Sequence, residues 1–126
     1  MNMLHRLLIA ALLFSAIGVV YPQYTGPGSK QRIHTVKELK DNALKLDRQD
    51  IVVALRGSIV QQIDNKTYLF KDSTGSIHVE IKKKYLPTFK FDETTLLIIY
   101  GEVDYDLLEG TEVEVESIER VAMQRP

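Results

Sequence analysis

The sequence predicts a mainly β fold in which one N-terminal helix precedes five strands that close into a small, partly open Greek-key barrel. Three observations lead to this prediction. From residue 51 onward, five stretches alternate apolar and polar residues. Gly57 and Gly101 interrupt two of these stretches, at points where a strand must bend or bulge. A stretch that contains Pro87 separates the third strand from the fourth and is predicted to form only a turn or one helical turn.

The first residues have the form of a secretory signal peptide. Arg6 precedes an uncharged run from Leu7 to Val20, which is shorter than the roughly 20 residues of a membrane-spanning helix. Small residues at Ala16 and Gly18 favour cleavage after Gly18. We therefore expect a periplasmic protein that is not integral to the membrane after cleavage, with an uncleaved anchor as the alternative. The predicted organisation is a signal peptide at 1–18, a flexible segment at 19–31, a folded domain at 32–121 and a tail at 122–126.

The helix is predicted over residues 34–46, which read HTVKELKDNALKL. Thr35 and Glu38 have the spacing of a capping box, in which each side chain accepts a hydrogen bond from the other residue's backbone N–H. Apolar residues then recur at intervals of three and four, which gives one apolar stripe. That stripe consists of Val36, Leu39, Ala43 and Leu46. Because so short a helix is marginal alone, we expect it to pack against the sheet.

Each strand has one apolar face that is predicted to point into the barrel. The first strand starts at residue 51, and the second and third form a hairpin around Asp72. The fourth runs from Thr94 to Asp104, and the fifth covers 111–121 after a loop at 106–110. The residues predicted to face the core are Ile51, Val53, Leu55, Ile59, Tyr68, Phe70, Ile77, Val79, Ile81, Leu97, Ile99, Val103, Val113 and Val115, with Tyr85, Leu86 and Phe89 from the insert.

Five strands with an insert between the third and the fourth suit the OB-fold, a five-stranded Greek-key barrel. A five-stranded meander with a helix packed on it is the structural alternative. Periodicity identifies the strands but leaves their connectivity open.

Several short motifs, in order, carry a family resemblance. They are QYTGPG at 23–28, LRGSIV at 55–60, YLFKDSTGSIHVEI at 68–81, IYGEVD at 99–104 and VEVE at 113–116. With these motifs the chain resembles the bacterial OB-fold (BOF) family of small exported proteins, of the YgiW/YdeI stress-tolerance type. The resemblance implies a periplasmic OB-fold that contributes to envelope stress tolerance without established enzymatic activity. The resemblance does not identify the ligand, and small molecules, cations and envelope sugars are all candidates.

Composition and motifs argue against several function classes. The chain has no cysteine, so a thiolate nucleophile and cysteine metal sites are excluded. It also lacks a glycine-rich phosphate loop and a serine-centred elbow, so we predict no enzyme and no cofactor. The formal net charge is -1, and Lys82 to Lys84 form the only basic cluster. Proteins that bind single-stranded nucleic acid combine a basic groove with aromatic side chains on which the bases stack. Nucleic acid is therefore not an expected partner.

A ligand-binding surface is predicted on the outer side of the second and third strands, where OB-folds commonly bind. Between the core residues of that hairpin lie polar and charged side chains, which form the candidate site with one apolar residue and a loop tyrosine. The candidate residues are Leu69, Lys71, His78, Glu80 and Tyr105. Asp72 is interpreted as a turn former in Asp-Ser-Thr-Gly rather than as a catalytic acid.

Acidic residues around the last hairpin are weak candidates for a cation site. They are Asp104, Asp106, Glu109 and Glu112. Hard cations such as calcium prefer several oxygen ligands, but this spacing matches no calcium loop, so no metal site is predicted. The expected function is binding of a small molecule, an envelope glycan or a cation. Docking on another envelope protein is the alternative.

Overall fold

A computed structural model describes residues 32–122 of the 126-residue chain. The predicted signal peptide at 1–18 and the segment at 19–31 lie outside the described residues, as do the last four residues of the predicted tail. No helix within residues 32–122 is long and apolar enough to cross a membrane.

The described chain forms two short helices, one 3₁₀ turn and six strands. In order these are β1 (Ile33–His34), α1 (Val36–Asp41), α2 (Ala43–Gln49), β2 (Val52–Gln62), β3 (Thr67–Asp72), β4 (Gly75–Glu80), the 3₁₀ turn (Lys83–Tyr85), β5 (Leu97–Asp106) and β6 (Gly110–Arg120).

The strands close into a five-stranded barrel. β2 pairs antiparallel with β3 through its second half and with β5 through its first half. β3 pairs antiparallel with β4, β4 pairs parallel with β6, and β6 pairs antiparallel with β5. This connectivity confirms the OB-fold, whereas the meander is wrong because β4 pairs with β6 rather than with β5. The two-residue β1, absent from the prediction, pairs parallel with β2.

Two mid-strand glycines allow strands to approach closely where the barrel closes. A Cβ at Gly57 would overlap the Lys71 carbonyl oxygen and lie 2.9 Å from Phe70 Cζ. A Cβ at Gly101 would overlap the Glu114 carbonyl oxygen. Glycine is therefore required at both positions by the neighbouring backbone, as the sequence indicated.

The predicted capping box is present, but the predicted single helix is wrong. Thr35 N–H donates to Glu38 Oε1 at 3.0 Å, and Glu38 N–H donates to Thr35 Oγ1 at 3.1 Å. α1 and α2 meet at Asn42, whose side-chain Nδ2 donates to the Glu38 carbonyl at 2.8 Å. Asparagine interrupts the helix because its side chain competes for backbone hydrogen bonds. The apolar stripe continues across the break and is buried at Val36, Leu39, Ala43 and Leu46.

The core matches the predicted strand faces with two differences. Ile51 was predicted to be buried, but it precedes β2 and is 43% exposed. Ala54 was assigned to the outer face, yet it is buried. Its neighbours across the sheet are Ile33 on β1 and Tyr100 on β5. The side chains of these two residues are large and cover the Ala54 methyl group. Tyr85, Leu86 and Phe89 of the insert pack against the core as predicted.

Candidate ligand-binding face

Asp72 holds the turn between β3 and β4 and ties it to α1. Its Oδ1 accepts hydrogen bonds from Thr74 N–H at 2.7 Å, Thr74 Oγ1–H at 2.6 Å and Gly75 N–H at 3.2 Å. Its Oδ2 accepts one from Val36 N–H, in the first turn of α1, at 2.8 Å. Burial acts to raise the pKa of Asp72, but these hydrogen bonds outweigh it and hold the pKa below its usual value. All these donors serve the fold, so the carboxylate is structural.

A cleft of about 430 Å³ lies between the β3–β4 hairpin, α1 and the β5–β6 turn. Leu69 and His78 are directly opposite each other across β3 and β4 and supply its floor. Lys40 comes from α1, and Glu109 comes from the β5–β6 turn. We call this the hairpin cleft; its lining residues are Lys40, Leu69, Ser76, Ile77, His78, Glu109, Gly110 and Thr111. The cleft combines an apolar floor with an imidazole, an ammonium group and a carboxylate.

Beside the hairpin cleft, three neighbouring strands present acidic side chains on one surface. On one row, His78 pairs with Glu112, and Glu112 pairs with Asp104. On the next row, Glu80 pairs with Glu114, which pairs with Glu102. We call this surface the carboxylate face; it consists of Glu80, Glu102, Asp104, Glu112 and Glu114. Like charges directly opposite each other repel. The electrostatic potential at this face is therefore strongly negative.

Two glutamates of β6 on this face have raised pKa values. Burial raises the pKa of Glu112, and the carboxylates of Glu80 and Asp104 add to the increase, while His78 opposes it. Burial likewise raises the pKa of Glu114, followed by the charge of Asp104. Each group binds a proton more readily than in isolation, first because burial disfavours its charged form and second because its neighbours disfavour another negative charge.

Two further acids lie at the edge of the face, one placed there by a β-bulge and the other by the end of α2. The register between β5 and β6 shifts at Tyr100 and Gly101, so that Glu116 becomes the extra residue on β6. Hydrogen bonding with the side chains of Glu116 and Asp50 raises the pKa of Glu102 to about 7. Asp50 reaches this place as the residue that ends α2, with a left-handed φ of 52°. The Glu102 carboxyl therefore keeps its proton to a higher pH than an isolated glutamate does.

The structure distributes the predicted site residues over different surfaces. Leu69 and His78 line the hairpin cleft. Glu80, two residues after His78 on β4, lies on the carboxylate face. Lys71 pairs with Ser76 on one side and with Ser58 on the other, and it lines a different cleft. Tyr105 is half-buried against the core, and its backbone N–H donates to Asp47 Oδ2 at 2.8 Å.

The predicted cation candidates also separate. Asp104 and Glu112 are paired on the carboxylate face, and Glu109 lines the hairpin cleft. Asp106 instead closes the β5–β6 turn, where its Oδ1 accepts from Leu108 N–H at 2.8 Å and Glu109 N–H at 2.9 Å. Across residues 32–122, no three histidine or carboxylate side chains are grouped so that they could hold a metal ion.

Sequence reasoning missed Lys40 and Asp50 on this surface, and it placed Glu102 and Glu116 among the acids of the last hairpin without predicting their contacts. Lys40 was not singled out because it lies on the polar side of the helix, where lysines are common. Glu102 and Asp50 were not associated because they are distant in sequence. Glu116 was read as part of a regular alternation, whereas its position depends on the bulge. The only sequence signal for the bulge is Gly101.

Comparisons with known proteins agree with the OB-fold. A family model described as "Bacterial OB fold (BOF) protein" matches residues 22–120. The calcium-regulated OB-fold protein CarO of Pseudomonas aeruginosa is 39% identical over 120 residues, which cover 94% of this chain and 97% of CarO. Protein YgiW of Escherichia coli K12 is 34% identical over 94 residues, 75% of this chain and 65% of YgiW. The solved structure of the hypothetical protein YgiW from E. coli superimposes with a TM-score of 0.62 and 34% identity, over 80% of this chain and 100% of that one.

Proposed function

The chain belongs to the bacterial OB-fold (BOF) protein family, and on that premise we propose that it is an exported, non-enzymatic protein that binds a small ligand in the hairpin cleft and thereby contributes to envelope stress tolerance. The observation that carries the proposal is the hairpin cleft itself, with Leu69 opposite His78 on its floor. It lies on the pair of strands that OB-folds commonly use for ligands. Its mixture of apolar and polar groups is typical of small-molecule sites.

The charge around the cleft favours a ligand with a positive group. His78 and Glu112 are neighbours, so the cleft is continuous with the carboxylate face. A positive charge placed there relieves the mutual repulsion that raises the pKa values of Glu112 and Glu114. Calcium is the inorganic candidate, because CarO is described as calcium-regulated. Since residues 32–122 contain no group of three acids or histidines placed to coordinate a metal, calcium would be attracted by the negative charge of the face rather than held in a preformed coordination site. An amine-bearing envelope glycan is the organic candidate.

A thermal-shift titration of the purified protein tests the proposal with calcium chloride, magnesium chloride, a muropeptide and the neutral sugar chitotriose. A ligand that binds only the folded state raises the melting temperature by mass action. We expect a saturable increase with calcium or with the muropeptide and none with chitotriose. Absence of any saturable shift with calcium and with the muropeptide would contradict ligand binding at this face.

Two variants locate the site, and a third serves as a matched control. Glu112→Gln removes one charge from the carboxylate face, and His78→Ala removes half of the cleft floor. Glu93→Gln removes the same charge from an exposed loop residue outside both surfaces. The proposal requires weaker binding in the first two variants and unchanged binding in the third. Equal binding in all three would place the ligand elsewhere.

A specific observation also supports protein docking as a second candidate function. The β5–β6 turn carries Leu107 and Leu108, which are 81% and 92% exposed. Asp106 fixes the turn by accepting two backbone hydrogen bonds, so both leucines are presented on an ordered tip. The two adjacent leucines form a contiguous exposed apolar patch, and such patches mark sites of protein interaction.

Docking is tested by chemical cross-linking in cells, followed by identification of the linked envelope protein. Leu107→Ser together with Leu108→Ser should abolish the cross-link without changing the melting temperature, because neither side chain is packed. Leu44→Ser removes a half-exposed leucine from α2 and is the control. A partner that cross-links equally to all variants does not use this tip.

A further inference from the structure

A second cleft, of about 460 Å³, lies on a part of the barrel that the proposed function does not use. Its walls are β1, the middle of β2, the end of β3 with the following turn, and the residue before β5. We call it the basic cleft; its cationic, hydroxyl and apolar lining residues include Arg56, Lys71, Ser58, Ser73, Ile33 and Leu96.

Strand register places the Arg56 and Lys71 side chains on the same face of the sheet. Leu55 on β2 is buried in the core, so the side chains of Arg56 and Ser58 point outward. Lys71 on β3 lies directly opposite Ser58 and therefore points outward with it. Arg56 and Lys71 are thus diagonal neighbours across an antiparallel pair, at a separation of about 7–8 Å that long side chains can bridge.

Both cationic groups are available to a ligand. Within residues 32–122, neither the Arg56 guanidinium nor the Lys71 ammonium forms an ion pair or a hydrogen bond with the protein. The hydroxyl of Ser73, on the exposed turn after β3, is likewise without a partner in this part of the chain. Ser58 Oγ–H donates to the Thr95 carbonyl at 2.9 Å, which holds β2 to the loop before β5 and fixes one wall of the cleft.

The carboxylates near these cations are held by other donors. Asp72 lines the cleft, but its two oxygens accept four hydrogen bonds from its own turn and from α1. Glu119 lies on the row of Arg56, with β5 between them, and accepts a hydrogen bond from Tyr100 Oη–H at 3.0 Å. Arg56 and Lys71 therefore have no counter-ion within the described part of the chain.

His34 lines the cleft without adding to its positive charge. Burial lowers the pKa of His34, and the charge of Arg32 adds to the decrease, while Glu38 opposes it. The imidazole is therefore neutral at pH 7. Arg32 itself pairs with Glu38 at 2.6 Å. The positive charge of the cleft at neutral pH comes from Arg56 and Lys71.

We propose that the basic cleft is a second ligand site, which binds a phosphate monoester with its phosphate group between Arg56 and Lys71. At pH 7 such a group carries a charge of about -1.5 to -2 and has three strong acceptor oxygens, which match two cations and the Ser73 hydroxyl. The guanidinium group binds two of these oxygens in a bidentate manner, and the ammonium group adds a point charge. This ligand has the opposite charge to the one proposed for the hairpin cleft.

The remainder of the ligand is expected to be an apolar organic group. Ile33 is 43% exposed and Leu96 is 37% exposed, and both line the cleft beside the cations. The volume lies within the range of about 300–1,000 Å³ that is typical of small-molecule sites, so it accommodates more than inorganic phosphate. A phosphate joined to an aromatic or aliphatic group therefore fits both parts of the cleft.

The test uses three small aromatic probes that differ in their polar group. Phenyl phosphate, benzoate and benzyl alcohol are titrated into the full chain, labelled for NMR, and the backbone amide resonances are followed. We expect saturable shifts with phenyl phosphate that are largest around Arg56, Ser58 and Lys71, and no binding of benzyl alcohol. Absence of saturable shifts at these residues overturns the site. Benzoate that binds as tightly as phenyl phosphate overturns the assignment to a phosphate, and inorganic phosphate that does so overturns the apolar contact.

Variants at exposed positions assign the binding to the two cations. Arg56→Gln should weaken the binding of phenyl phosphate about tenfold or more, because it removes both the charge and the bidentate donors. Arg56→Lys keeps the charge but loses the bidentate geometry and should weaken binding less. Arg48→Gln removes an exposed arginine from α2 and is the charge-matched control. Equal affinities in Arg56→Gln and Arg48→Gln overturn the role of Arg56.

The lysine and the independence of the two sites are tested in the same way. Lys71→Gln should weaken binding, whereas Lys66→Gln, at the other end of β3, should not. Equal affinities in these two variants overturn the role of Lys71. Glu112→Gln, which is expected to weaken ligand binding at the hairpin cleft, should not weaken the binding of phenyl phosphate. A loss of phenyl phosphate binding in Glu112→Gln would overturn the separation of the two sites.

Discussion

The fold lowers the pKa values of aspartates at the turns and raises the pKa values of glutamates on the sheet. Asp64, Asp72, Asp92 and Asp106 each accept hydrogen bonds from nearby donors, and all four have pKa values below the usual value. Glu102, Glu112 and Glu114 face other carboxylates, and all three have raised pKa values. Ionisation stabilises the folded chain at the turns and destabilises it on the sheet.

The difference lies in the supply of donors. A turn leaves backbone N–H groups unpaired, and a short acidic side chain reaches them within three residues. In a strand, the backbone groups are already paired with neighbouring strands, so an outward glutamate meets only other side chains. Carboxylates that lack donors remain available for an external cation, which is why the sheet rather than the turns is the candidate binding surface.

The largest expected effect comes from the bulge that assembles the sheet acids. Gly101→Ala would force a Cβ into the backbone of Glu114 and Val115 and should reduce the free energy of unfolding by about 3 kcal/mol. Urea denaturation measures this value. Ser117→Ala changes an exposed residue of the same hairpin and should be close to neutral. A stable Gly101→Ala variant would show that β5 and β6 need not approach so closely.

The turn side of the comparison is tested at Asp72. Asp72→Ala removes the acceptor for Val36, Thr74 and Gly75 N–H groups and should cost about 2 kcal/mol in the free energy of unfolding. The matched change Asp41→Ala removes an exposed carboxylate whose ion pair within residues 32–122 is with Lys37, so its effect should stay below about 0.5 kcal/mol. Equal losses in the two variants would refute a structural role for the Asp72 hydrogen bonds.

The sheet side predicts a stabilising substitution. Glu102→Gln removes a charge that Glu116 and Asp50 disfavour, so the melting temperature at pH 8 should rise by about 2 °C after allowance for solvent screening. Below about pH 4 the carboxyl is protonated in both the folded and the unfolded chain, because its ordinary pKa is 4.5, and the two proteins should then melt together. A lower melting temperature for Glu102→Gln at pH 8 would mean that the charged form stabilises the fold.

The smallest effect is a pH dependence with a defined sign. The folded-state pKa of Glu102, about 7, lies above its ordinary value of 4.5, so between these values the folded chain binds more protons than the unfolded chain. Stability should therefore rise slightly as pH falls from 8 to 5. Below about pH 4 it should fall, because the turn aspartates then lose their charge. Guanidinium denaturation at each pH measures both trends, and a monotonic loss of stability from pH 8 downward would contradict the first.

Local patterns in the sequence predicted most of the fold because the physics involved is local. Alternation located the core of all five barrel strands, and the Thr35–Glu38 spacing located the start of the helix. Among the features that the sequence misplaced, the helix break has a local cause and the burial of Ala54 has a tertiary one. Asn42 breaks the helix although the apolar stripe continues, and Ala54 is buried by side chains on β1 and β5.

Local patterns were enough to predict the turns, the inward faces of the strands and the turn-forming role of Asp72, since each depends on residues within a few positions. Which charges become neighbours depends instead on the tertiary structure. The parallel pairing of β4 with β6 places Glu80 beside Glu114, and the register of β5 with β6 places Glu102 on the other side of Glu114. Electrostatic neighbours in a barrel come from strand order, register and bulges, which connect residues that are far apart along the chain.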